Sequence, residues 1–196
     1  MKKYYAIKDI DDKKLILESW DECKEKLKEF NKPKYKSFST LEEANAFLNG
    51  EILDDNITEP KAYIDGSYDE KTKNYSFGGI LIINKTEYKF KKAFKEDEYS
   101  QYRNVAGEIK GASYIINHAI NNNIKRLHIF YDYEGIEKWY TNSWMANTLI
   151  AKKYQEYANE VKNKIEVVFH KVKGHTNNHY NELADKLAKE ALNIKK

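Results

Sequence analysis

Residues 61–94, KAYIDGSYDEKTKNYSFGGILIINKTEYKFKKAF, decide the fold. Lys61–Asp65 alternates apolar and polar residues and stops at Gly66, as a short strand does. Ser76–Ile83 and Glu87–Phe94 are two more apolar-patterned runs, and Asn84-Lys85-Thr86 between them predicts the turn of a hairpin. Downstream the period changes. Asn104–Asn121 places Val105, Ile109, Ala112 and Ile116 at helical spacing. Arg126–Tyr131 reads as a strand, Gly135–Tyr140 as the start of a helix, Trp144–Val161 as a longer helix, Lys164–Lys171 as a strand and His179–Leu192 as a closing helix. The order βββαβααβα predicts an α/β domain with a mixed five-stranded sheet flanked by helices.

Upstream, residues 1–48 read as β-β-α-β-α, a small α+β domain. Tyr4–Ile7 and Lys14–Leu17 are short strands, and Ser19 precedes a helix that carries Cys23, Leu27 and Phe30 on one face. Tyr35–Phe38 is a brief strand, and Thr40-Leu41-Glu42-Glu43 is a capping box opening a second helix. Residues 49–60, NGEILDDNITEP, hold four acids and no Lys or Arg, and read as an acidic linker. The expected division is 1–48, 49–60 and 61–196.

The net charge of +3 is uneven: +1 over residues 1–48, −4 over 49–60 and +6 over 61–196. The basic last part suits a polyanionic partner. The longest apolar runs are a few residues, which excludes a membrane span of the helical kind. The N-terminus MKKYYAIKDI has no apolar core of a signal peptide, and one cysteine, Cys23, cannot form an internal disulfide. These features lead us to expect a cytoplasmic protein with no membrane partner.

Four acids stand out. Asp65 closes AYIDGS, Asp132 closes LHIFYD, Glu108 lies one turn into the helix of RNVAGEIKGA, and Asp185 sits among Leu183, Ala184, Leu187 and Ala188 in NELADKLAKEA. Carboxylates at strand ends and on sheet-facing helix flanks can converge at one edge of an α/β sheet. Held close, they raise one another's pKa unless a cation lies between them, and an all-oxygen set favours Mg²⁺ or Mn²⁺. Spacing alone leaves two readings open: converging ligands, or unrelated turn and surface acids.

The successive stretches YIDGSY with Gly78-Gly79, RNVAGEI, FYDYEGIEKW and KVKGHTNNHYNELADKLAKEA resemble the signatures of type 1 ribonuclease H, in that family's order. The resemblance implies an endonuclease that hydrolyses the RNA strand of RNA–DNA hybrids, leaving 5′-phosphate and 3′-hydroxyl ends. It implies that Asp65, Glu108, Asp132 and Asp185 bind two Mg²⁺ ions (Mn²⁺ able to substitute), with no other small-molecule cofactor. It implies that His175, in the KGH stretch, helps proton transfer or product departure. Gly66, Ser67 and Asn104, with the backbone near Gly107, would contact ribose in the RNA strand, and Asn181 the same strand. His118, His128 and His170 fall inside helix or strand patterns and read as structural, and His179 as a surface residue or helix start.

Residues 3–48, with YYAIK, SWDEC, YKSF and TLEEANAF, look like the hybrid-binding domain attached to many such enzymes. Trp20 and Tyr35 would then stack on the DNA strand and Lys36 would contact phosphate, whereas the alternative makes both aromatics core residues. The chain departs from the family pattern in places. Val105 replaces an often polar residue, Tyr133-Glu134 follows Asp132 in place of Ser-Gln, and Ser37 replaces a second basic residue after Lys36. Glu137–Lys162 is too neutral and short for the basic protrusion of some bacterial members. The rivals are another nuclease of the same fold, cutting branched or duplex DNA, and a hybrid-binding protein without activity.

Overall fold

The computed structural model describes residues 2–49, 57–172 and 179–193. It divides into two compact units, Met1–Ile57 and Thr58–Lys196.

In the first unit, β1 (Tyr4–Lys8) lies between β2 (Lys14–Leu17) and β3 (Lys34–Phe38), both antiparallel to it. Strand alternation puts Tyr5 and Ile7 on one face and Ala6 on the other. The helix α1 (Trp20–Leu27) closes a small core of Ile7, Cys23 and Phe30, while α2 (Leu41–Asn49) closes one of Ala6, Phe38, Ala44 and Leu48. The start of α2 is the predicted capping box: Glu43 N–H donates to Thr40 Oγ1 at 3.2 Å, and Thr40 N–H donates to Glu43 Oε2 at 2.9 Å. Ser19 precedes α1 as foreseen, but its side chain makes no capping hydrogen bond.

In the second unit, β4 (Lys61–Tyr68), β5 (Tyr75–Ile83), β6 (Thr86–Phe94), β7 (Arg126–Tyr131) and β8 (Glu166–Lys171) form one sheet of order β6-β5-β4-β7-β8. The β4–β5 and β5–β6 pairs are antiparallel, and β7 is parallel to both β4 and β8. The five-stranded mixed sheet flanked by helices is therefore the predicted fold. The α3 helix (Asn104–Asn121) packs on β4 and β5, with α4 (Gly135–Tyr140) and α5 (Leu149–Val161) completing that layer; α6 (His179–Ala191) packs against β4, β5 and β6. Ile64, Leu81, Ile109, Ile115, Ile116, Leu127 and Ile129 form the centre of the core. No helix among the described residues is long and apolar enough to cross a membrane.

Several boundaries differ from expectation. The β4 strand does not end at Asp65; it runs on through Gly66 to Tyr68, so Gly66 serves close packing instead of a turn. A Cβ at Gly66 would collide with the Asn104 carbonyl oxygen, and one at Gly107 with the Ser76 carbonyl oxygen, so neither backbone tolerates a side chain there. The β5–β6 turn has only two residues, Asn84 (φ 49°) and Lys85 (φ 67°), the left-handed pair of a tight hairpin, and Thr86 belongs to β6. The α5 helix starts at Leu149, where Thr148 caps the Ala151 N–H at 3.4 Å, so Trp144–Asn147 precede the helix. Thr58–Pro60, expected in the linker, belong to the second unit: Pro60 O accepts from His128 N–H at 2.9 Å.

Candidate active site

Three elements deliver three carboxylates to one place. Asp65 comes from the middle of β4, Glu108 from the second turn of α3, and Asp132 from the residue after β7. Each offers an oxygen, and these oxygens lie within 4.8 Å of one another. The close approach of Gly66 to the α3 backbone is what brings Glu108 beside Asp65. Glu108 is only 2% exposed, and its Oε1 accepts from the Asn104 amide at 3.2 Å. Its second oxygen, Oε2, is buried without a hydrogen-bond partner among the described residues.

Such an arrangement is electrostatically costly without a cation. Burial, then the charge of Asp132, pushes the Asp65 carboxyl up to about 7, with Asp185 adding to the rise. Burial, followed by Asp132 and Asp65, lifts Glu108 well above the usual carboxylate range. Gly66 N–H donates to Asp65 Oδ1 at 2.7 Å and partly opposes the effect. Three converging carboxylates and an unsatisfied buried oxygen fit an oxygen-ligated divalent ion, which would supply the missing charge.

Asp185, the fourth predicted acid, is near enough to raise Asp65 but lies outside that three-oxygen group. Its two oxygens are 2.6 and 2.7 Å from Lys189 Nζ, one helical turn on. His175 lies outside the described residues. Asn104 is beside the carboxylates, held by Glu108. Ser67 is buried on β4, and Asn181 is buried in the first turn of α6. Val105 packs partly against the hydrophobic core, which accounts for an apolar residue at that position.

In the first unit Trp20 and Tyr35 are not core residues. Trp20 is 38% and Tyr35 51% exposed, and their rings meet at 5.7 Å. Lys36 is exposed on β3, its ammonium 5.5 Å from the Phe38 ring centre. Tyr5 completes a row of three rings, 5.5 Å from Trp20.

Three neighbours escaped the sequence reading. Tyr5 is on the same strand face as Ile7, so alternation along YYAIK would have found it. Lys189 stands four residues after Asp185, the spacing of a helical ion pair. Tyr133 borders the carboxylates, its phenol raised by burial and then by Glu108, and its ring meets Trp139 edge-on at 5.7 Å. Only its place next to Asp132 could have pointed to it.

Known proteins share the fold and the family. Residues 58–193 match the RNase H family, and residues 3–48 match the ribonuclease H1 N-terminal domain. No curated protein sequence matches the chain. Among solved structures, RNase H1 from the halophilic archaeon Halobacterium salinarum NRC-1 is similar at a TM-score of 0.58 and 20% identity, over 70% of this chain and 99% of that one. The N-terminal RNase H domain of rv2228c from Mycobacterium tuberculosis gives a TM-score of 0.57 at 15% identity, covering 70% and 95%. LC11-RNase H1, solved in complex with an RNA/DNA hybrid, gives 0.54 at 13% identity, covering 68% and 99%. With its sheet order, its cluster of carboxylates and a family match spanning residues 58–193, the chain belongs to the ribonuclease H family and is a ribonuclease H enzyme.

Proposed function

We propose that this enzyme hydrolyses the RNA strand of RNA–DNA hybrids internally, leaving 5′-phosphate and 3′-hydroxyl ends. The observation that carries the reading is the convergence of Asp65, Glu108 and Asp132 around the unsatisfied Glu108 Oε2. Asp65, Glu108 and Asp132 would hold divalent metal, with Asp185 joining when it leaves Lys189; two Mg²⁺ ions are the proposed complement, Mn²⁺ substituting. When bound, such ions supply a nucleophile from water at neutral pH and positive charge at the departing oxygen. Water adds to phosphorus as the bond from phosphorus to the 3′-oxygen breaks, and that oxygen takes a proton. His175 is suited to move that proton, because an imidazole exchanges protons near neutrality. Asn104 orients Glu108, and the Gly66–Ser67 backbone, Asn104 and Asn181 would contact ribose in the RNA strand and so read its 2′-hydroxyl.

The exposed rings of Trp20 and Tyr35 beside the half-buried Tyr5, with Lys36, would form a stacking surface next to a phosphate contact. Through it the first unit would bind the same hybrid and raise its local concentration at the second. The single cysteine fits work in the cytoplasm, a reducing compartment.

The direct test offers one labelled RNA strand paired with DNA, paired with RNA or left single, with Mg²⁺ or with EDTA. Internal cuts confined to the hybrid and dependent on Mg²⁺ are expected. Cutting of duplex DNA instead, or binding to the hybrid without cutting in either metal, would overturn the proposal.

A further inference from the structure

Apart from the carboxylate site, three titratable side chains from three separate segments meet on one face of the second unit's sheet. His128 Nδ1 lies 2.7 Å from His170 Nε2, and His128 Nε2 lies 2.8 Å from Glu59 Oε2. Both imidazoles are buried, with planes within 3° of each other, while the Glu59 side chain is 44% exposed. Two ring nitrogens cannot face each other lone pair to lone pair at this distance, so something positive lies between them. A tetrahedral zinc ion with bonds of about 2.0–2.1 Å would hold its ligand nitrogens roughly 3.3 Å apart. The observed 2.7 Å is instead the distance of a hydrogen bond.

Two proton arrangements satisfy all three groups. In one, both rings are neutral: His128 donates from Nε2 to Glu59 and accepts at Nδ1 from His170. In the other, His128 is an imidazolium that donates to Glu59 and to His170 Nε2. A further proton on His170 removes its acceptor and sets N–H against N–H. His170 has no room to withdraw. It stacks at 4.7 Å on Phe130, which stacks at 4.6 Å on Tyr63, which stacks at 5.2 Å on Tyr180 of α6. Relief must come from His128 turning out through the exposed end at Glu59, which is followed by Pro60, whose carbonyl accepts from the His128 backbone N–H at 2.9 Å.

We propose that Glu59, His128 and His170 form a proton-sharing clasp that holds residues 58–60 against β7 at neutral pH and releases them on acidification. Other charged and titratable groups surround the clasp. Arg126 of β7 is 3.5 Å from Glu59 and 3.5 Å from Glu166 of β8, so its charge is divided between two carboxylates and does not hold Glu59 alone. Lys61 of β4 is the register partner of His128. At the far end of the stack, Tyr180 donates to Glu87 of β6 at 3.0 Å and meets His179. Burial, then the charge of His128, holds the His170 imidazole down from 6.5 to about 4. A base lowered in this way contributes stability above pH 6.5 that is lost as the pH falls toward 4.

The test is amide hydrogen exchange of the full chain, corrected for intrinsic rates, at pH 7.5, 6.0 and 4.5. The His128 amide is expected to be protected at pH 7.5 and to lose about tenfold or more of that protection by pH 4.5. In His170→Phe the pH dependence at that amide should vanish. Imidazole nitrogen resonances of the unsubstituted protein, which need no variant to fold, should show one hydrogen shared between His128 and His170. Protection unchanged down to pH 4.5, or two independently titrating rings, would overturn the clasp. Stoichiometric Zn²⁺ uptake by these two imidazoles in the Asp65→Asn protein would overturn it in favour of a metal site.

Discussion

At Asp65, desolvation and like charge act in the same direction, and this has consequences for stability as well as for cleavage. A carboxyl whose folded pKa is raised from 3.8 to about 7 contributes stability that is full below pH 3.8 and lost as the pH rises through 7. Glu108 shifts the same way. The metal-free enzyme should therefore lose stability between pH 5 and pH 8, and Mg²⁺ should raise Tm more at pH 8 than at pH 5.5, as read by thermal denaturation with and without the ion. Asp65→Asn should abolish cleavage with hybrid binding nearly intact. It should also stabilise the metal-free protein at pH 8 by about 1–2 kcal/mol, a figure discounted for partial solvent screening. A loss of binding together with a fall in Tm would instead mark Asp65 as a folding residue. His175→Ala should slow single-turnover cleavage without ending it; complete loss would give His175 a larger part than proton transfer. The four acids were legible in the sequence because each interrupts an apolar or glycine-flanked run. The pairing of Asp185 with Lys189 was not, since an i,i+4 ion pair on α6 looks like any surface pair until the helix is docked on the sheet.

Elements were legible where hydrophobic period was clean. Two apolar runs flanking a turn defined β5 and β6, and the 3–4 spacing of Val105, Ile109, Ala112 and Ile116 defined α3. The misread boundaries are local. Gly66 was taken for a turn because glycine after a strand usually ends it, but here the missing side chain admits α3, a tertiary demand that local sequence does not display. Trp144 and Met145 continue an apolar pattern, so the start of α5 was placed too early; the Thr148 cap fixes the true start. The contact between Gly66 and α3 is backbone against backbone, so no rotamer change can relieve a new methyl group. Gly66→Ala should lower stability by about 1–3 kcal/mol or more, the range for overpacking, checked by the denaturant midpoint. An unchanged midpoint would mean that α3 can slide on β4.

For the whole molecule, the carboxylate cluster and the row of aromatic rings lie on separate compact units of one chain. Trp20→Ala should weaken hybrid binding by about 1–3 kcal/mol, raising KM while kcat at saturating hybrid stays the same. Equal affinity with intact folding would make the ring row of Tyr5, Trp20 and Tyr35 a packing feature. Salt dependence should be shallow for the first unit, whose residues 1–48 carry a net charge of only +1. The place of residues 58–60 could not be read from composition, because His128 is nearly seventy residues away from Glu59 in sequence. The bare backbones at Gly66 and Gly107 have one more consequence. By fixing how near α3 comes to the sheet, they set how far the Glu108 carboxylate stands from Asp65. Mg²⁺ sits at about 2.0–2.1 Å from its oxygens and Ca²⁺ at about 2.3–2.6 Å, so on the proposed metal reading Gly66→Ala would weaken binding of the smaller ion first.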